Sequence, residues 1–183
     1  EGKPLQTGID TDPVFLPHTI ELDLAKPMDE LLAEMDKNTR YNCKYGRKNG
    51  VVTEFGVSEE IYNEFEQLVF QTIKRKNYFG RTKNYYRQLW RIMQEQGKAI
   101  IALAKHEGET LVARMLFLHE GVIYTPYTGN STKKRNLKAA NSILLDIIEW
   151  GKSNGYSKLN MWGIDYNNKN KSHEGFTKFK LGF

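Results

Sequence analysis

The end of the chain gathers residues that could do chemistry. Trp162-Gly163-Ile164-Asp165 comes first, then Gly175-Phe176-Thr177-Lys178-Phe179-Lys180-Leu181-Gly182-Phe183. Lys180 sits between aromatics and glycines, after a segment that reads as a strand. Glycines let a backbone turn sharply or approach a ligand closely. A lysine walled by aromatics is a fixed positive charge. The same spacing also describes a C-terminal helix that packs Phe176, Phe179 and Phe183 into the core and leaves Lys180 in solvent. Two other stretches carry patterned charge. Lys37, Arg40, Lys44, Arg47 and Lys48 share one helical face at about 100° per residue. That face either attracts phosphates or is a solvated surface. Asn130-Ser131-Thr132-Lys133-Lys134-Arg135-Asn136 precedes a helix start. Free N–H groups, the positive dipole end and three basic side chains make an anion site there, unless the loop is merely exposed.

Composition sets the bounds. With 183 residues, 39% hydrophobic and 27% charged, the chain suits one soluble globular domain. No apolar run approaches the roughly 18 residues of a membrane-spanning helix. The start, Glu1-Gly2-Lys3-Pro4, is too polar for a signal peptide, and the missing initiator Met suggests an excised piece. A lone cysteine, Cys43, rules out an intrachain disulfide and fits a reducing compartment. One Cys and the scattered His18, His106, His119 and His173 show no metal-ligand spacing, so no metal is expected. The net charge of +5 favours anionic partners.

These groups need elements to hold them. Residues 1–18 are proline-rich and aperiodic, and read as a linker or arm. Residues 19–24 alternate as a strand. A short helix follows Pro27, then a second helix over 37–48 ended by Gly50, then a strand over 51–55. Ser58 can cap a long helix with Glu59 and Glu60 in its first turn and Lys74-Arg75-Lys76 in its last. Thr82 caps another, with Tyr86, Leu89, Trp90 and Met93 on one face. The period then changes. Strands at 99–104, 111–118 and 122–127 have links so short that they must be antiparallel hairpins. A helix over 137–153 and a strand over 158–162 complete one α/β domain on a single mixed sheet, with the helix packed on one face.

This order resembles the core of the GNAT acyltransferase fold. In particular it resembles the FemABX family, aminoacyl-tRNA-dependent transferases that build peptidoglycan cross-bridges. The matching segments are Asn38-Thr39-Arg40-Tyr41-Asn42-Cys43-Lys44-Tyr45, Lys74-Arg75-Lys76-Asn77-Tyr78-Phe79, Tyr124-Thr125-Pro126-Tyr127-Thr128-Gly129-Asn130-Ser131, Met161-Trp162-Gly163 and Phe179-Lys180-Leu181-Gly182-Phe183. They run in family order from about Thr19 onward. Family members carry two such domains. The resemblance implies the second one, residues 19–183, ending where the family pattern continues into a last strand. Asn160 stands where the pattern often has an acid before Trp-Gly.

The resemblance implies roles. Aminoacyl transfer has an amine attack an ester carbonyl, and Lys180 is the group expected to stabilise the oxyanion that develops. Arg75 would bind a phosphate of a nucleotide- or lipid-linked acceptor, with Tyr78 or Phe79 as the pocket aromatic. Tyr127 and Phe179 would also line the substrate site. Tyr124 and Tyr127, three apart, face opposite sides of their strand, one core and one cleft with Tyr127 favoured for the cleft, unless Pro126 makes a bulge. Lys37, Arg40, Lys44, Arg47, Lys48, Lys133, Lys134 and Arg135 would meet tRNA. No His–Asp or Ser–His pairing stands out as a general base. Leu137-Lys138-Ala139-Ala140 replaces the glycines of acetyl-CoA-binding relatives, which argues against tight CoA docking. The implied partners are aminoacyl-tRNA, a UDP-linked or lipid-linked peptidoglycan precursor and the first GNAT-like domain. No cofactor beyond the donor is implied, and the place is the cytoplasm or the inner face of the membrane. Two other readings stay open: an acyl-CoA-dependent N-acyltransferase on the same fold, and a non-catalytic domain that binds precursor or tRNA.

Overall fold

Two Glu-Gly turns organise the centre of the sheet. Glu107 and Gly108 have φ of 51° and 76°, and Glu120 and Gly121 have φ of 46° and 75°. Positive φ at both central residues twists a two-residue loop as a hairpin needs. The strands β3 (Ala99–His106), β4 (Glu109–His119) and β5 (Val122–Asn130) therefore form an antiparallel meander. The computed structural model describes residues 16–76, 80–167 and 170–183. With β1 (His18–Asp23), β2 (Val52–Gly56) and β6 (Lys158–Ile164), the described residues build one six-stranded sheet in the order β1-β6-β5-β4-β3-β2. The expected mixed sheet is the observed one. Its parallel step is β5 beside β6.

Helices cover both faces. On one lie α1 (Met28–Glu34), α2 (Lys37–Lys48) and α5 (Ala139–Ser153), around Ile143, Leu144, Ile147 and Ile148. On the other lie α3 (Glu59–Lys76) and α4 (Lys83–Glu95), around Phe65, Val69, Tyr86 and Trp90. The caps act as read: Ser58 Oγ accepts from Ile61 N at 3.4 Å and Thr82 Oγ1 from Tyr85 N at 3.2 Å. α5 starts at Ala139 rather than at residue 137. Residues 135–137 form a 3₁₀ turn flanked by Lys134 and Lys138 in left-handed backbone. Among the described residues no helix is long and apolar enough to cross a membrane. Cys43 is buried between α2 and α5, its Sγ 3.3 Å from the Asn141 carbonyl, and burial pushes the thiol up to about 12. It is a packing residue, not a nucleophile. The expected arm, residues 1–18, lies mainly outside the described residues.

Candidate active site

β5 and β6 pair only through Val122–Tyr124 against Lys158–Asn160. Both strands then bulge. On β5, Thr125 and Pro126 together oppose Leu116, since the register passes from Met115↔Tyr127 to Phe117↔Tyr124. Pro126 has no N–H to give to a ladder. On β6, Met161 and Trp162 together oppose Ile20. Trp162 takes φ 65°, a strained backbone for an aromatic residue. Asn160 holds that bend: its Oδ1 accepts from Trp162 N at 2.9 Å and from the Thr19 hydroxyl at 2.8 Å. The strands part beyond these bulges and leave a fork. A cavity of about 660 Å³ fills it.

One wall of the fork is α6 (Glu174–Leu181), the helix expected at the chain end. Its lysine is not in solvent. Lys180 Nζ donates to the Gly163 carbonyl at 2.8 Å and lies 5.3 Å from the Phe176 ring centroid. Burial, and then the charge of Arg114, push its ammonium down to about 8. It stays cationic at neutral pH. Phe179 lines the same wall, while Phe183 is buried in the core. Gly182 belongs to this arrangement, because a Cβ there would stand 2.4 Å from Thr39 Oγ1.

The opposite wall is β5 against α3. Thr72 Oγ1 accepts from Asn130 N at 2.9 Å and donates to Leu68 O at the same distance. Arg75 Nη1 donates to the Asn130 carbonyl at 2.9 Å, which sets Arg75 at the lip. The β5 bulge resolves the tyrosine spacing. Tyr124 and Tyr127 pair with Phe117 and Met115, two residues apart, so both face the same side. Tyr127 lines the cavity, 4.9 Å from the Tyr86 ring, with its hydroxyl 3.4 Å from that of Tyr85. Burial and Tyr85 raise its phenol, so it is a neutral donor. The expected core role for Tyr124 does not hold. It is half-buried, edge-on to Trp162 at 6.4 Å.

The structure thus brings Lys180, Phe179 and Tyr127 together, with Arg75 at the margin. Tyr78, and Phe79 beside it, lie outside the described residues. The basic stripe divides. Lys37, Lys44 and Lys48 are exposed, as is Tyr41 between them. Arg40 instead bonds the Leu32 carbonyl at 2.7 Å. Arg47 turns onto α5, with Nε 2.7 Å from Asp146 and Nη1 2.9 Å from Glu149. Arg47 is therefore a structural ion pair, not part of an open basic face, and reversing it would leave two carboxylates facing a third. The 130–136 loop is also partly engaged. Lys133 pairs with Glu109 at 2.6 Å and Lys134 with Glu107 at 2.8 Å. Arg135 is exposed in the 3₁₀ turn.

Three cavity residues escaped the sequence reading. Arg114 stands in the apolar run Leu111–Leu118, where a lone arginine was the available signal. It is 5% exposed, and burial pushes its guanidinium down to about 10. Thr125 is buried in the β5 bulge. His173 comes to 3.4 Å from the buried Asp165 carboxylate through Nδ1, an ionic-range contact without hydrogen-bond alignment. A His–Asp juxtaposition therefore exists at the cavity, between Asp165 just after β6 and the 3₁₀ turn Lys171–His173.

The three exposed lysines of α2 permit a specific test. If this face meets tRNA, as the resemblance implies, Lys37→Glu/Lys44→Glu/Lys48→Glu should weaken tRNA binding in filter-binding titrations and flatten its salt dependence, because fewer counterions are released. Thermal stability should stay within about 0.5 kcal/mol, since exposed charges contribute little. Unchanged affinity and slope would return the face to ordinary surface.

The sheet order, the parallel β5–β6 step and the fork opened by two bulges define a GNAT-like mixed α/β domain. Residues 6–107 match the FemAB family model, and the chain belongs to the FemAB family. A FemX crystal structure superposes with a TM-score of 0.80 at 17% identity, over 90% of this chain and 58% of that one. L-PGS from Bacillus licheniformis gives 0.63 at 20% identity, over 90% and 55%. The C-terminal domain of an Agrobacterium fabrum protein assigned as a lysylphosphatidylglycerol synthetase gives 0.62 at 16%, over 88% and 52%. At these identities the likeness is one of fold. The chain spans little more than half the length of each. No curated protein sequence matches the chain.

Proposed function

We propose that this domain transfers an aminoacyl group from a charged tRNA to the amine of a peptidoglycan precursor stem peptide, in cross-bridge formation. The observation that carries the reading is Lys180, a half-buried ammonium fixed to Gly163 O at 2.8 Å inside the fork. FemAB family membership supplies the reaction class. The acceptor amine attacks the ester carbonyl carbon, and the C–N bond forms as charge gathers on the carbonyl oxygen. A preorganised cation in a partly dry site stabilises that charge by several kcal/mol. The ester C–O bond then breaks, and the ribose oxygen leaves with the proton that the amine releases.

The other groups take roles by position. Tyr127 and Phe179 shape the substrate channel, and Arg75 at the lip meets an acceptor phosphate. The exposed α2 lysines and Arg135 meet the tRNA backbone. A cytoplasmic location, at or near the membrane's inner face, and a first GNAT-like domain completing the acceptor groove belong to the same reading.

The direct test is to incubate this chain with a mixture of charged tRNAs and a UDP-linked precursor and follow label into the precursor. Transfer supports the reading; tRNA and precursor binding without transfer would make this a binding domain. Isothermal titration with acetyl-CoA separates the other alternative. The α5 start lacks glycines, and Lys134 in the loop before it is tied to Glu107. No saturable binding is expected below millimolar concentration, and a micromolar isotherm would favour an acyl-CoA-dependent enzyme instead.

A further inference from the structure

Among the described residues, three buried side-chain polar atoms have no hydrogen-bond partner: Arg114 Nε, Thr125 Oγ1 and His173 Nδ1. All three residues line the fork cavity. Buried polar groups are nearly always paired, and an unpaired buried charge costs several kcal/mol. A protein carries such a cost where a ligand relieves it. Arg114 has no ion pair with any described residue, although ion pairs fix Arg47 and Arg87 elsewhere in the fold. An apolar residue would suit its place in β4, between Ala113 and Met115 in the centre of the sheet. Its cross-strand partner is Thr128, which also lines the cavity, and Thr125 stands in the adjoining bulge.

We infer that Arg114 and Thr125 form an anion subsite at the floor of the fork, which takes a carboxylate carried by the substrate that brings the amine. This deepens the aminoacyltransferase reading and rests on it for the identity of that substrate. The guanidinium presents a planar edge, and a carboxylate matches it with two parallel hydrogen bonds. The Thr125 hydroxyl can donate a third. Arg114 and Lys180 line the same cavity. An amine that attacks an ester held by Lys180 carries its neighbouring atoms into the cavity that Arg114 lines. A carboxylate on the carbon bearing the amine, or one or two bonds beyond, reaches it. A phosphate diester or pyrophosphate is bulkier and more strongly hydrated, and fits the exposed lip near Arg75 and Lys76 better than the buried surroundings of Arg114.

The test compares norleucine with n-pentylamine, which differ by one carboxylate, and with inorganic phosphate. The readout is the set of arginine Nε–H resonances of the ¹⁵N-labelled chain. Norleucine should shift one of them saturably, the one that disappears in Arg114→Lys. Pentylamine should leave it in place. Arg114→Met should bind norleucine at least tenfold more weakly by calorimetry, and Arg114→Lys should fall between, having charge without the fork. A shift with phosphate but not norleucine would overturn the carboxylate assignment, and no shift with any probe would make Arg114 structural. The wild-type titration decides this even if Arg114→Met fails to fold. Transfer assays separate the two claims. Carboxylate binding without transfer removes only the aminoacyltransferase reading, and transfer without carboxylate binding removes only this inference.

Discussion

Lys180→Met should lower kcat on the order of 10²-fold or more, with KM nearly unchanged and no loss of thermal stability. Methionine keeps most of the volume and removes the charge. If the ammonium acts mainly on the developing oxyanion, the loss falls on kcat alone. Stability should hold or rise, because the folded state no longer desolvates a cation beside Arg114. The pH dependence gives a second signature. The folded-state pKa is lowered to about 8 from an ordinary 10.5, so the native chain loses its proton first as pH rises. Between those values the unfolded chain binds more protons, and this group's contribution to stability rises with pH. Activity should do the opposite, falling as pH climbs through about 8. Opposite slopes of activity and stability, both absent in Lys180→Met, are what stopped-pH kinetics and melts should show. A rise in KM alone would make Lys180 a binding residue. Wild-type rates would make the tail structural.

Gly129→Ala should cost on the order of 3 kcal/mol in urea unfolding, large for one methyl group. A Cβ at residue 129 would stand 2.5 Å from Val69 N and 2.6 Å from Leu68 C. Both are α3 backbone atoms, which cannot rotate away as a side chain can. Helix and strand must separate, and the Thr72 bridge to Asn130 stretches with them. Since Val69, Thr72 and Tyr127 line the fork, catalysis should suffer along with stability. Gly175→Ala is the contrast. A Cβ there meets nothing within 4 Å, and the site lies in α6. Alanine should stabilise by about 0.5–1 kcal/mol there. Equal effects at both sites would mean that close packing of α3 on β5 is not what Gly129 serves.

The local parts of this fold are written in local sequence. Glu107-Gly108 and Glu120-Gly121 announce hairpins because two residues suffice to set the twist. Ser58 and Thr82 announce helix starts because a cap acts over three residues. Lys180, Phe179 and Tyr127, which the family resemblance singled out, line one cavity. Long-range partners were not legible. Arg47 reads as one of a solvated stripe until α5 brings Asp146 and Glu149 to it from about a hundred residues away. Lys133 and Lys134 read as a free anion loop until the β3–β4 hairpin supplies Glu109 and Glu107. Arg114 reads as an oddity in an apolar strand, because its meaning depends on the opening between β5 and β6. That opening comes from two bulges in different strands, and only one of them carries a proline as a signal.

The fork has a consequence for the order of events. Its lining comes from both faces of the sheet: Ala140, Phe179 and Lys180 from one side, Val69, Thr72 and Tyr86 from the other. A pocket sunk in one face gives two bulky reactants one wall to share, and they must take turns at it. A lining drawn from both faces offers two walls. Under the proposed function, donor and acceptor each have a wall to rest on, and their ends meet between the walls without either leaving first. Such a molecule has no need to store the transferred group on itself between visits. Its steady-state kinetics should accordingly show intersecting rather than parallel double-reciprocal lines.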